Sequence, residues 1–336
     1  MPDAEHQKTV LMIGGAGYVG AVLVPKLLRK GYNVRVYDLH LFGEDVLAQF
    51  RSPKLVEIQG DIRDEESLCS AMQGVDAVIN LACISNDPSF ELNPELSKAI
   101  NFDAMHSIIA ALKSAHIKRF IHASTSSVYG VREEAEVTEE IPFEEFVPVS
   151  DYNKYKALAE ELIKKELMPY VPTVIIRPAT ICGYSPRMRL DLSVNIFVHQ
   201  AVIKRHLTVF GGNQKRPNIH IDDITDLYVR LVEEPLEHIA GKIYNAGGQN
   251  LTIREIAEMV RSIVGDDVAI EVQPSTDPRS YHISSEKIKQ ELGFVPRKTI
   301  SDAVHELVDA FASGRIPNPD DIRYYNVKQL KAADLK

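Results

Sequence analysis

Three cysteines, Cys69, Cys83 and Cys182, are all that 336 residues carry. An odd number at irregular spacing excludes a disulfide framework and a cysteine-built zinc site, and no metal is expected. Positive charge is also short. Lys and Arg number 38 against 47 Asp and Glu, a formal net charge of −9. Such a surface on average repels nucleic acid and anionic membranes, so neither is expected as a partner. Internal repeats and low-complexity tracts are missing, which sets aside repeat architectures. The one long apolar run, residues 10–28, is interrupted by a glycine cluster, Pro25 and Lys26. It reads as a buried strand and helix rather than a membrane span. The opening MPDAEHQK is polar and acidic, unlike a signal peptide, and a cytoplasmic protein is expected. At 45% hydrophobic and 25% charged residues, the chain can bury a large core.

What is present is concentrated in residues 9–38, TVLMIGGAGYVGAVLVPKLLRKGYNVRVYD. The segment reads as strand, glycine turn, helix, strand, acid. Gly14, Gly17 and Gly20 fall at three-residue spacing, a helix is expected over 18–30, and Gly31 stops it. Glycines there let the backbone approach a pyrophosphate seated on the positive end of the helix. Asp38 closes the second strand, where it can accept hydrogen bonds from an adenosine ribose diol. It would repel a 2′-phosphate, which favours NAD over NADP. The plainer alternative is a glycine turn that only packs helix on strand.

Strand and helix patterns then alternate. Strands are expected at 55–58, 75–81, 120–124 and 171–176, and helices at 65–72, 95–115 and 151–167. Alternation of this kind means βαβ units, hence an α/β fold with a doubly wound parallel sheet of Rossmann type. After Arg177 the pattern loosens, and a smaller C-terminal α/β substrate lobe is expected. The division is interleaved: 1–180 forms the dinucleotide-binding domain, segments within 216–247 rejoin it, and 181–330 forms the lobe. The polar tail, 316–336, reads as a surface extension.

Tyr152 and Lys156 form a Y-x-x-x-K pair, four apart and so on one helix face. An ammonium close to a phenol favours the phenolate and lowers its pKa, and such a tyrosine can take a proton from a sugar hydroxyl. Upstream, ASTSSVYG places Thr125 at a strand end, where its hydroxyl can bond the same substrate oxygen. The alternatives are a surface aromatic and an ordinary hydroxyl-rich strand terminus.

At this point the chain resembles the extended short-chain dehydrogenase/reductase family, in its nucleotide-sugar epimerase/dehydratase branch. The likeness runs nearly the whole length: GGAGYVG from Gly14, Asp38, GDIRD from Gly60, NLAC from Asn80, Asn101, STSSVYG from Ser124, YNKYK from Tyr152, RPATICGY from Arg177 and RPNIHIDD from Arg216. The resemblance implies NAD as cofactor, held by Gly14, Gly17, Tyr18, Val19, Gly20, Asp38, Asp61, Ile62, Leu81, Ala82, Asn101, Tyr152, Lys156 and Pro178. It implies Thr125, Tyr152 and Lys156 as the catalytic trio. It implies a nucleotide-diphosphate sugar as substrate, with Ser85, Thr125, Asn195, Arg216 and Arg279 toward it. Arg suits phosphate through charge-assisted, often bidentate bonds. Arg279 is equally readable as a surface salt bridge, and the basic pair Arg187 and Arg189 as a solvated loop or a substrate contact.

Departures from the pattern narrow the reaction. The 4,6-dehydratases usually follow the catalytic Thr with an Asp-Glu pair, and the sugar-acid decarboxylases carry Glu at the second place. Here Ser126 and Ser127 stand there. Cys83 and Cys182 sit in cofactor-side motifs, as packing groups or as an acid and base for ring epimerisation. An NAD-dependent nucleotide-sugar epimerase acting through a transient 4-keto sugar is expected. The alternatives are a sugar C4 dehydrogenase or keto-reductase, a 4,6-dehydratase, a steroid-type reductase and a non-catalytic NAD-sensing protein. A homodimer is expected through helices 95–115 and 151–167, with Ile108, Leu112, Leu158 and Leu162 as the seam.

Overall fold

The computed structural model describes residues 8–132, 136–275, 282–333 and 335. Six strands come first: β1 (Thr9–Ile13), β2 (Asn33–Asp38), β3 (Leu55–Gln59), β4 (Ala77–Asn80), β5 (Phe120–Ala123) and β6 (Thr173–Pro178). Then β7 (Thr180–Cys182), β8 (His206–Phe210) and β9 (Lys215–His220) leave the sheet, β10 (Lys242–Ala246) returns to it, and β11 (Gln249–Thr252) and β12 (Ala269–Gln273) follow. The main sheet runs β10-β6-β5-β4-β1-β2-β3, all parallel. Strand order reverses between β1 and β4. Ile13 lies beside both Tyr37 of β2 and Asn80 of β4, so three strand ends meet there. Ligands of doubly wound sheets bind at such a reversal.

The two-residue alternation of a strand sorts side chains to opposite faces. Val10 and Met12 join Leu23, Leu27, Ile224 and Leu231 on one side. Leu11 and Ile13 join Met72, Ile108, Leu112 and Ile163 on the other. Ile108 and Leu112 are therefore consumed by the chain's own core and leave nothing for an intersubunit seam. Leu158 and Leu162 stay partly open.

Residues 95–115 are not one helix. The helix Pro94–Lys98 passes through a wide π turn, Ala99–Asp103, into the helix Ala104–Ser114. Apolar spacing survives such a turn, so periodicity does not register it. Within 216–247 only β10 enters the main sheet, where it takes the free edge of β6 from Lys242↔Val174 to Ala246↔Pro178. With that edge filled, β9 pairs instead with β7 and β11. This small sheet and the β8–β12 pair build the second lobe around Leu190, Val198, Val209, Val260 and Leu307.

Candidate active site

The C-terminal ends of β1, β2, β4, β5 and β6 open on a cavity of about 410 Å³. Its floor is the glycine turn. Gly14 has φ +79°, and a Cβ on it would meet the Ala82 backbone nitrogen at 2.6 Å. A Cβ on Gly20 would sit 2.2 Å from the Gly15 carbonyl oxygen. Neither position admits a side chain, so the turn stays open while the helix Gly20–Arg29 packs hard behind it. Gly17, Tyr18 and Val19 present the start of that helix to the cavity.

Asp38 stands at the end of β2. Its carboxylate accepts from the backbone nitrogens of Ala16 and His40, each at 2.9 Å, which aims it at the cavity. Asp61 and Ile62 line the same end. Burial acts to raise the Asp61 carboxyl, but hydrogen bonds from Arg63 outweigh it and hold the group below its ordinary value. Leu81, Ala82 and Pro178 complete this wall. A Cβ-free floor, a helix start and a fixed acid fit a dinucleotide.

Thr125, Tyr152 and Lys156 converge at the other end. Thr125 follows β5, and its hydroxyl hydrogen-bonds Ser127 Oγ at 2.9 Å and accepts from the Ser127 nitrogen at 3.2 Å. Ser150 caps the helix Asp151–Glu166 by accepting from the Asn153 nitrogen, which places Tyr152 and Lys156 one turn apart. Lys156 is buried and donates to the Ala123 carbonyl at 2.6 Å. The expected lowering of the phenol is not found. Burial raises it, Cys83 and Asp87 add to that, and Arg189 and Thr125 only oppose. The ammonium is engaged by a carbonyl, so its pull on the phenol is diverted.

Ser85, Arg187, Arg189 and Arg216 line the cavity. Arg189 pairs with Asp191 at 2.9 Å and donates to Ser85 Oγ at 3.1 Å. Two expected contacts are turned inward. Asn101 clamps Ile84, accepting from its nitrogen at 2.8 Å and donating to its carbonyl at 2.9 Å, behind the cavity wall. Asn195 accepts from Gly183 N and donates to Tyr18 Oη and Arg189 O, welding the lobe to the glycine turn. Each amide pairs buried backbone groups that would otherwise go without a partner. Tyr18 is also a bridge, since its hydroxyl donates to the Gly183 carbonyl at 2.6 Å. Arg279 lies outside the described residues. Cys83 lines the cavity, whereas Cys182 is fully buried and its thiol is pushed up to about 12, which removes it from acid-base work at neutral pH.

Sequence reasoning missed two groups. Asp87 lines the cavity near Tyr152 and accepts from the Ser150 hydroxyl. It follows Asn86, held at φ +74°, a costly backbone conformation of the kind found at functional sites. Its position just before a proline reads as a helix start, which hid it. The tail is the other miss. Rather than lying on the surface, Asn326 is 4% exposed, and Leu330 and Leu335 line the cavity. Gln329 donates to the Leu41 carbonyl at 2.7 Å. Apolar residues among charges carry the tail inward, and no local pattern reveals their partners. No group of three or more His, Cys, Asp or Glu among the described residues is placed to hold a metal ion.

The sequence profile of the NAD dependent epimerase/dehydratase family matches residues 10–247. UDP-glucuronic acid decarboxylase 1 of Arabidopsis thaliana is 30% identical over 93% of this chain and 71% of its own length. UDP-glucose 4-epimerase of Lactobacillus helveticus is 25% identical over 89% of this chain and 93% of its own. Among solved structures, the dTDP-glucose 4,6-dehydratase DesIV of Streptomyces venezuelae, with NAD and TYD bound, is similar at TM-score 0.83 and 25% identity, covering 93% of this chain and 99% of that one. UDP-glucuronic acid 4-epimerase of Bacillus cereus, in complex with UDP-glucuronic acid and NAD, is similar at TM-score 0.82 and 25% identity, covering 91% and 99%.

Proposed function

Because the chain belongs to the NAD-dependent epimerase/dehydratase family, and its cofactor is NAD, we propose that it inverts C4 of a nucleotide-diphosphate sugar. The observation that carries this reading is the convergence of Thr125, Tyr152 and Lys156, with hydroxyls rather than carboxylates at Ser126 and Ser127. Tyr152 takes the proton of the C4 hydroxyl while Thr125 holds the same oxygen. NAD, when bound, supplies the acceptor for the C4 hydride and the donor that returns it. Return to the opposite face of the ketone, with Tyr152 giving its proton back, inverts the centre. In this reading Lys156 serves both the phenol and the nicotinamide ribose. Release of the ketone instead would make the protein a C4 dehydrogenase, a reading that shares every one of these groups.

The test is a panel of UDP- and dTDP-sugars followed by mass spectrometry in D₂O. The expected product has the substrate's mass, no deuterium at C3 or C5, and inverted C4. Loss of one water at a rate matching turnover would overturn this in favour of a dehydratase, with Asp87 as the acid beside Tyr152.

We also infer a C₂ homodimer in the cytoplasm. Phe102, Tyr155, Leu158 and Leu162 leave a partly open apolar strip along two neighbouring helices. The three cysteines are unbridged, as a reducing compartment requires. Among the described residues no helix is long and apolar enough to cross a membrane. Light scattering at micromolar protein should give twice the chain mass, and a monomer mass refutes the dimer.

A further inference from the structure

Arg187 is a buried cation with nothing negative attached to it. It is 3% exposed and lines the cavity. Its guanidinium lies 3.4 Å over the Phe42 ring, donates to Asn326 Oδ1, and makes one long bond of 3.5 Å to the Met188 carbonyl. Its Nε is buried without any partner. Among the described residues no carboxylate forms a salt bridge with it. Asp191, the nearby acid, is spent on Arg189. A buried charge left in this state is costly, and proteins keep one where a counter-ion arrives from outside.

We propose that Arg187 is the counter-ion of a diphosphate, that this diphosphate belongs to the dinucleotide rather than to the sugar nucleotide, and that Asn326 of the C-terminal segment is the positioning residue that holds it there. The neighbours decide between the two sources. Phe42 belongs to the loop that leaves β2 just after Asp38, and Asp38 and Tyr18 are among the groups that act on Arg187 electrostatically. These mark the adenosine end and the glycine turn, not the Thr125–Tyr152 end. Burial, and then the like charge of Arg189, push the guanidinium down to about 9, against the pull of Asp191 and Asp38. A cation destabilised in this way gains more than an exposed one from a dianion brought beside it.

Asn326 supplies a neutral acceptor, which orients the guanidinium without neutralising it. The same amide donates to Ser85 Oγ at 2.8 Å, and the Asn326 nitrogen donates to Asp191 at 3.0 Å. One residue of the tail thus ties Arg187, Ser85 and the Arg189–Asp191 pair into a single arrangement. The inference rests on NAD occupying this cavity and is independent of which sugar reaction follows.

The experiment uses the full chain stripped of nucleotide. NADH affinity is read by fluorescence titration, UDP or dTDP affinity by calorimetry, and the ligand-free melting temperature by scanning fluorimetry. Arg187→Met keeps the side-chain volume and removes the charge. It should weaken NADH at least tenfold, leave the nucleoside diphosphate within twofold, and leave the ligand-free melting temperature equal or higher. Asn326→Ala, which retains the cation, should weaken NADH about three- to fivefold, and it serves where Arg187→Met does not fold. Loss of nucleoside diphosphate affinity with NADH unchanged would move the site to the substrate. No change in either affinity would show that Arg187 meets no anion.

Discussion

Tyr152→Phe should cut turnover roughly 10³-fold while NADH affinity stays within about twofold. The phenol lines the reacting end of the cavity beside Thr125, where in this reading it exchanges the proton of the C4 hydroxyl. Phenylalanine keeps the ring against Phe90, 6.5 Å away, so packing is preserved and the hydroxyl alone is lost. NADH binding is expected to persist because the glycine floor, Asp38 and Lys156 are untouched. Steady-state kinetics beside a fluorescence titration will decide it. A rate within tenfold of the parent would mean that another group moves the proton, and Asp87 is the one nearby.

The largest effect on stability is expected at Glu160. Its carboxylate receives Arg177 Nε at 3.1 Å on both oxygens and Arg177 Nη2 at 2.6 Å. The two side chains are 1% and 2% exposed. Ser124 donates to the same carboxylate, and Arg177 continues through Tyr129 Oη at 2.7 Å to Asn245 Oδ1 at 2.8 Å. Glu160→Leu strands the guanidinium in the interior and should cost about 3–5 kcal/mol, as removal of one partner of a buried pair does. Adding Arg177→Met should recover much of the loss, because no charge is then left without a partner. Urea unfolding of the two variants measures both terms. A single-variant loss under about 1 kcal/mol would show that the pair is not what holds β6 to the helix Asp151–Glu166.

Local features were legible in the sequence. Gly14 and Gly20 are set by a turn that tolerates no Cβ at either place, and Asp38 by the end of the next strand. Tyr152 and Lys156 share a helix face at a spacing that needs no tertiary knowledge. What stayed hidden is non-local. Asn101 and Asn195 carry the right chemistry for a ligand, but their partners are the backbones of Ile84 and Gly183, which the sequence does not announce. The π turn at Ala99–Asp103 leaves the apolar rhythm intact, so one helix was expected where there are two. Ile108 and Leu112 face inward because the helix they share is rotated toward the sheet, a choice periodicity leaves open. Asn326 and Leu330 lie in a polar tail whose destination depends on the finished fold.

The tail also sets an order of events during synthesis. The floor of the cavity is made by the glycine turn after β1, and part of its wall by residues some three hundred positions later, Asn326, Leu330 and Leu335. A nascent chain that has released β10 holds every strand of the main sheet and can fold it, yet it lacks Asn326 and Leu330. Stabilisation by a bound dinucleotide follows mass action and requires the completed site. The growing chain must therefore stand on its own core until that segment is made, and stops between residues 316 and 326, which leave both cores whole, should yield folded protein that has lost its grip on the nucleotide.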